Sequence, residues 1–441
     1  MSARQLRACV IWLGCDKNRV YCEEMLGALA AAGLQPHPNP EDADVIVVNT
    51  CAFIEDAAQE SVDAILRCAQ YRRSGRCQLL AVVGCLPARY GSEARRALPE
   101  VDLWLGANEY HLVARRVWQA LHGQMERRIP SATASADRIL STPAHYGYLL
   151  LGDGCDRGCS YCTIPAIKGK VHSRPLEEVL GAARKLAQRG VGELILVAQD
   201  TTSYGRDVPG GPDLVDLLVE MDQLPVRWIR LMYAHPAGIT PRLLRVMAGS
   251  RRTLPYLDIP FQHASPRVLR RMGRADLGHP GRCIAMVRNY LHDPSIRATF
   301  MVGHPGEGWE DFLALLAFVR RFRLDHVGVF AFSPEEGTAA ARMRPQVPVA
   351  VRERRRRRLI RQAWQVAHRA NRRLVGMIAE AVVEEIISDG LARGRIWRQA
   401  PEVDGITYIF GRCPTPGTFV KVRVVGNHGY DLFAELLPPS C

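Results

Sequence analysis

Long apolar runs are missing from this chain. No stretch of its 441 residues approaches the roughly 20 uninterrupted apolar residues that a membrane-spanning helix needs. The opening MSARQLRACVIWLGC has too short an apolar run and no small-residue cleavage site for a secretory signal. The chain therefore reads as soluble and cytoplasmic, with no membrane partner. Low-complexity repeats are absent as well. Thirteen cysteines are present, and in a large cytoplasmic protein thiols stay reduced, so clustered cysteines point to metal rather than to disulfides. Acidic residues are the scarcer charge, 45 against 58 Lys and Arg. The imbalance is local: Ala341 to Val375 holds twelve arginines and one glutamate, whereas Gly376 to Cys441 holds six basic and eight acidic residues.

At this length, with 47% apolar residues, two or three domains are expected. The fold class is α/β. Three apolar runs, ACVIWLGC, DVIVVNTC and LLAVVGC, each end on a cysteine and lead into a helix-like stretch. Short apolar runs alternating with helices imply a buried parallel sheet, whose ligands bind outside the carboxyl ends of its strands. Cys15, Cys51 and Cys85 would then share one edge. This amino-terminal α/β domain is expected over 1–124, followed by a Ser-, Ala-, Thr- and Pro-containing linker at 125–142. Six further strand-like runs begin at Tyr146, Glu193, Trp228, Tyr256, Ile296 and His326, each leading toward a helical stretch. They predict a partial (β/α)6 barrel over 143–375, closed by a long helix through VRERRRRRLIRQAWQVAHRANRRLV. The last segment, 376–441, has short β-like runs such as ITYIF and TFVKVRVV between Gly and Pro, as in a small β-barrel.

The sharpest chemical signal is GCDRGCSYC, where Cys155, Cys159 and Cys162 form CxxxCxxC directly after the first barrel strand. Three thiolates on a tight loop suit a four-iron cluster and leave one iron open to chelate a small molecule. The competing reading is zinc, but structural zinc sites have four protein ligands, and no fourth stands nearby in the familiar pairwise CxxC spacing. For Cys15, Cys51 and Cys85 the same alternative stands. Separations of about 35 residues are too long for a local zinc knuckle.

That spacing, with Tyr161 just before the last cysteine, resembles the radical S-adenosylmethionine superfamily. Adding Cys15, Cys51 and Cys85 narrows the resemblance to the methylthiotransferases, and LGCDKNRV, NTCAFIEDAAQES, VAQDTTSYGRD, WIRLMYAHP, YLDIPFQHAS, FMVGHPGE, VGVFAFSPEEGT and APEVDG narrow it to the branch that modifies a ribosomal protein. The resemblance implies two [4Fe-4S] clusters, ligated by Cys155, Cys159 and Cys162 and by Cys15, Cys51 and Cys85, with S-adenosyl-L-methionine on the open iron of the first. It implies Tyr161 against the adenine and a TRAM-like tail. The substrate it implies is an aspartate of small-subunit ribosomal protein S twelve, methylthiolated on its β-carbon, with an electron donor of the reductase or flavodoxin type. His304 and Gly308 depart from the GFPGET-like form of that branch.

Weaker candidates sit at expected barrel edges: Gln199 and Asp200 after the second strand and Gln262 after the fourth, for the cofactor. A TRAM domain that binds RNA should be positively charged, so the slightly acidic tail favours a basic protein target over tRNA. Glu402 and Asp404 in PEVDG are the residues expected to bind that substrate. The run Arg352 to Arg358 reads as a solvated helix face or as a contact with the ribosomal subunit. Two alternatives remain: a tRNA adenosine methylthiotransferase, and a non-enzymatic iron-sulfur RNA-binding protein.

Overall fold

The computed structural model describes residues 5–123, 137–275 and 278–438. Most of the expected linker at 125–142 lies outside the described residues, as does Cys441. Among the described residues no helix is long and apolar enough to cross a membrane. The chain forms two compact units.

The amino-terminal unit runs to Ser141 and also takes in Tyr148–Asp156 and Cys162–Ala182. It opens with β1 (Arg7–Trp12), α1 (Asp16–Ala31), β2 (Gln35–Pro36), β3 (Val45–Thr50), α2 (Glu55–Ser74), β4 (Leu79–Gly84), α3 (Cys85–Ala97), β5 (Leu103–Gly106) and α4 (Val113–His122). The sheet order is β2-β1-β3-β4-β5, with every pairing parallel. β3 and β4 are buried at every position, which is why VIVVNT and LLAVVG read as continuous apolar runs instead of alternating ones. The registers Trp12 to Asn49 and Thr50 to Gly84 level the carboxyl ends of β1, β3 and β4.

The chain continues through β6 (Tyr146–Leu150), β7 (Gly152–Asp153), α5 (Ile164–Lys168), β8 (His172–Ser173) and α6 (Leu176–Gln188). The carboxyl-terminal unit comprises Thr142–Gly147, Arg157–Tyr161 and everything from Ala183. Here follow β9 (Glu193–Val197), α7 (Leu214–Met221), β10 (Trp228–Leu231), α8 (Pro241–Gly249), β11 (Thr253–Gln262), α9 (Pro266–Arg271), α10 (Pro280–Tyr290), β12 (Ser295–Val302), α11 (Trp309–Phe322) and β13 (His326–Ala331). The six strands β6 and β9 to β13 lie side by side in chain order, as the six apolar runs predict. After α12 (Ala339–Arg342), the long helix α13 (Val349–Asn371) spans the arginine segment. The tail is a closed five-stranded barrel of β14 (Ile378–Ser388), β15 (Leu391–Ile396), β16 (Thr407–Phe410), β17 (Phe419–His428) and β18 (Asp431–Leu436) around Ala381, Ile396, Ile409, Val422 and Ala434.

This barrel is fixed to the amino ends of the sheet strands. Glu193, the first residue of β9, is fully buried and receives Arg230 at 2.6 Å and Arg395 of β15 at 2.8 Å. Burial pushes the Glu193 carboxyl pKa up, but the two guanidiniums outweigh it and hold it below the usual range. Trp228 Nε1 donates to Glu380, Ser295 Oγ to the Arg398 carbonyl, and the Arg398 guanidinium reaches Asp325 at 2.8 Å. Removing one partner of a buried pair leaves its charge uncompensated, at a cost of about 3–5 kcal/mol, whereas an exposed pair contributes about 1 kcal/mol or less. Glu193→Ala should therefore lower the melting temperature by on the order of 10 °C. Arg227→Ala, which opens the exposed pair with Glu380, should move it by only a few degrees. Equal shifts in thermal denaturation would refute this ranking.

Candidate functional site

In the amino-terminal unit the three widely spaced cysteines come together. Cys15 is the N-cap of α1, Cys51 follows β3 directly, and Cys85 opens α3. Their mutual electrostatic influence is felt at both Cys51 and Cys85. Gly14 and Gly84 make this approach possible. A β-carbon on Gly14 would lie 2.8 Å from Cys51 Sγ, and Gly84, at φ +104°, would place one 2.6 Å from Asn49 Oδ1. Burial pushes the Cys85 thiol up to about 12, opposed chiefly by the nearby Lys168 ammonium, and pushes Cys51 up as well. Thiols so placed are inert as thiols, and it is metal that makes such a group a thiolate. Among the described residues no three His, Cys, Asp or Glu side chains close around a single ion. Three cysteines at neighbouring strand ends are the donor set by which iron-sulfur clusters are held, and in that chemistry they fit one.

The CxxxCxxC loop lies between β7 and α5. Gly154 sits at φ +73°, where a β-carbon would fall 1.9 Å from the Lys170 carbonyl, and Cys155 N then donates to Gly169 O at 3.1 Å. Lys168 bonds Asp153 at 2.8 Å, while Tyr21 also donates to Asp153. At the other end of the loop, Thr163 Oγ1 donates to Phe53 O at 3.0 Å. Phe53 stands two residues past Cys51, so within this unit Cys162 and the three-strand cysteines occupy one neighbourhood.

The middle of the loop, Arg157–Tyr161, belongs to the carboxyl-terminal unit. Tyr161 is 9% exposed, with its ring edge-on to His304 and its hydroxyl accepting from Arg274 at 3.3 Å. Gln199 follows β9, and Gln262 ends β11 at φ +69°. Tyr233, just past β10, is also left-handed at φ +55°. Such conformations in bulky side chains cost about 1–3 kcal/mol and cluster where ligands are held. Neither glutamine makes a side-chain hydrogen bond among the described residues, which leaves both amides free for a ligand.

Two expectations are corrected. Asp200 is saturated: it accepts from Arg157 at 2.7 Å, from both the hydroxyl and backbone N–H of Thr202, and from Ser203 Oγ. A carboxylate has about four acceptor positions. Asp200 therefore acts through Arg157, between the cysteines of the loop, and has none left for the cofactor. Asp404 is no surface carboxylate. Its side chain is fully buried, accepting from Tyr256 Oη at 2.7 Å and Ala400 N at 2.8 Å with Arg297 and His326 within 3.5 Å. These partners sit near the amino ends of β11, β12 and β13, opposite the ends that carry Gln262 and His304. Glu402 alone keeps an exposed position, although it too accepts from Tyr146 Oη at 3.0 Å.

The sequence reading did not single out Arg157 and Arg274. A guanidinium between two cysteines of the CxxxCxxC motif, in CDRGC, is the signal that would have flagged the first.

The arginine helix divides. Arg352 and Arg355 are 8% exposed and turn inward, to the Phe332 carbonyl and to Glu307. Burial pushes Glu307 up to about 7 despite Arg355. Arg354, Arg357, Arg358 and Arg361 are exposed along the opposite face. Among the described residues the other cysteines, Cys9, Cys22, Cys68, Cys77, Cys283 and Cys413, are free, and all but Cys413 are buried.

Comparison with known proteins agrees with this layout. Residues 7–106 match the uncharacterized protein family UPF0004, 149–319 the radical SAM superfamily, and 375–437 the TRAM domain. The ribosomal protein uS12 methylthiotransferase RimO of Syntrophus aciditrophicus is 42% identical over 98% of this chain and 99% of its own. The RimO of Desulforudis audaxviator is 43% identical over 99% and 98%. The structure of the radical S-adenosylmethionine methyltransferase TsrM from Kitasatospora setae, with cobalamin and a [4Fe-4S] cluster, superposes with a TM-score of 0.54 at 13% identity, covering 74% of this chain and 72% of that one. That likeness concerns fold alone. Anaerobic reconstitution should load about eight irons per chain, falling to about four when Cys155, Cys159 and Cys162 are all changed to Ala. Four irons falling to none would remove the amino-terminal cluster.

Proposed function

The chain belongs to the RimO family of ribosomal protein uS12 methylthiotransferases, and from that premise we infer that it adds a methylthio group to the β-carbon of an aspartate in that protein. The observation that carries this reading is the convergence of Cys15, Cys51 and Cys85 at three level strand ends, in the same unit as Cys155 and Cys162. When bound, the two [4Fe-4S] clusters and S-adenosyl-L-methionine supply sulfur, a methyl group and a radical able to take hydrogen from an unactivated carbon.

In this reading the chain's own residues bind, orient and exclude water. Cys155, Cys159 and Cys162 hold the radical cluster; Cys15, Cys51 and Cys85 hold the sulfur-bearing one. Tyr161, with its hydroxyl anchored by Arg274, offers a fixed ring to the adenine. Gln199 and Gln262 present unpaired amides at the carboxyl ends of β9 and β11, suited to the polar end of the cofactor. Asp200 keeps Arg157 in place and so stiffens the loop. Glu402, not Asp404, is the tail carboxylate left to meet a basic segment of the substrate.

The cytoplasm suits these residues, because thiols stay reduced there and the ribosome is at hand. One-electron reduction calls for a donor of the reductase or flavodoxin type. For the subunit itself, the exposed face of Arg354, Arg357, Arg358 and Arg361 is suited to ribosomal RNA beside the substrate. Positions i, i+3, i+4 and i+7 line one side of a helix, and Arg358 lies over the exposed Trp309 ring at 5.3 Å.

Mass spectrometry of uS12 and of tRNA from a deletion strain tests the assignment. Loss of the methylthio group from uS12 is expected; loss from tRNA alone would overturn it. Changing those four arginines to Ala should raise KM for the assembled subunit and flatten its salt dependence, because fewer counterions are released. Kinetics on a short substrate peptide should stay unchanged. Equal losses on peptide and subunit would sink the RNA contact.

A further inference from the structure

The sequence RMGR, from Arg271 to Arg274, begins on the last residue of α9 and carries none of the family signatures considered above. Yet it is the segment that grips the radical loop. Ser160 N donates to Met272 O at 3.0 Å, and Ser160 Oγ donates to Arg271 O at 2.8 Å. Gly273, at φ +74°, comes so close that a β-carbon would stand 2.9 Å from the Gly158 carbonyl. This close approach delivers Arg274 to the loop. Its guanidinium is 4% exposed at the residue level, and Nη1 lies 3.5 Å from Cys159 Sγ and 3.3 Å from Tyr161 Oη, while Nη2 donates to Pro260 O at 2.8 Å. Nε is buried with no acceptor among the described residues.

We propose that Arg274 is a positioning residue that sets the reduction potential of the radical cluster through its hydrogen bond to the Cys159 sulfur. Cluster potentials respond to net charge, to hydrogen bonds on the sulfurs and to solvent exposure, and Arg274 supplies the first two at a dry site. Reduction places one electron from an external donor on the cluster and makes its charge one unit more negative. A guanidinium held against a ligand sulfur stabilises that reduced state over the oxidised one. Arg keeps its charge at any accessible pH and its planar fork spans three acceptors at once, which Lys cannot do. The anchor at Pro260 stops the group from swinging away, and the contact to Tyr161 couples the same cation to the aromatic ring two residues further along. Arg157, the other cation of the loop, is instead engaged by Asp200.

This rests on Cys155, Cys159 and Cys162 being cluster ligands, so the experiment must separate the two claims. Full-length protein, reconstituted anaerobically, is titrated with titanium(III) citrate while its electron paramagnetic resonance is followed. The signal that changes on adding S-adenosylmethionine identifies the cofactor-binding cluster. In Arg274→Met its midpoint should move to more negative potential, and in Arg274→Lys by a smaller amount, while the signal that ignores the cofactor stays put. Should the Met variant fail to take up iron, the Lys variant decides. An unchanged midpoint at wild-type iron content, or equal movement of both signals, would overturn the proposal. A wild-type chain with no cofactor-responsive signal would overturn the ligand assignment beneath it.

Discussion

Parallel pairing is the constraint on which the rest of this molecule depends. Neighbouring strands that run the same way present all their carboxyl ends on one edge, so residues placed just past each strand meet in space however far apart they lie in sequence. Cys15, Cys51 and Cys85 use this in the first unit, where the register from β1 through β3 to β4 brings their strand ends level. Gln199, Gln262 and His304 use it in the second, past β9, β11 and β12. A local motif needs no such help. The CxxxCxxC loop converges by its own turns at Gly154 and Gly158, both at positive φ.

The opposite edge is where the carboxyl-terminal barrel docks, and it is held there by charge. Glu193 between Arg230 and Arg395, Asp404 among Tyr256, Arg297 and His326, and Arg398 against Asp325 form a buried electrostatic seam at the amino ends of the strands. Such pairs are weak sources of net stability, since desolvation offsets most of their attraction, but they penalise any other docking that would leave a charge unpaired. By occupying this edge the small barrel leaves the carboxyl ends of the second unit's strands uncovered by the tail.

How much of this could be read from the sequence depended on range. The apolar runs of the two sheets, the arginine-rich helix and the cysteine motifs were legible because burial and period are local properties. ITYIF and TFVKVRVV announced β16 and β17 of the small barrel. The fate of individual charges was not legible. PEVDG has the composition of an exposed turn, yet Asp404 turns inward to partners about 80 to 150 positions away. Arg352 and Arg355 sit in a run that reads as solvated, and only the packing of α13 against the loop bearing Glu307 draws them in. Arg274 belongs to the same class. Its importance lies in a contact across 115 residues.

Tertiary pairing also changes what net charge can say about the target. In the tail, acids outnumber bases, which on composition alone favours a basic protein over RNA. Glu380, Glu384 and Asp404 are paired internally, however, as are Arg395 and Arg398. What remains exposed is Glu385, Asp389, Glu402 and Glu435 against Arg393, Arg412, Lys421 and Arg423, an even balance. The small barrel's surface therefore favours neither kind of partner, and the uS12 assignment rests on the full-length relatives. Surface charge bears instead on how the substrate is presented. An exposed basic stripe runs along α13, whose inward arginines reach the loops after β12 and β13. On the reading proposed above, that cationic flank adds attraction for a protein embedded in phosphate and contributes nothing to a free one, so the electrostatics that fail to separate protein from RNA as targets bear on how a protein substrate is presented.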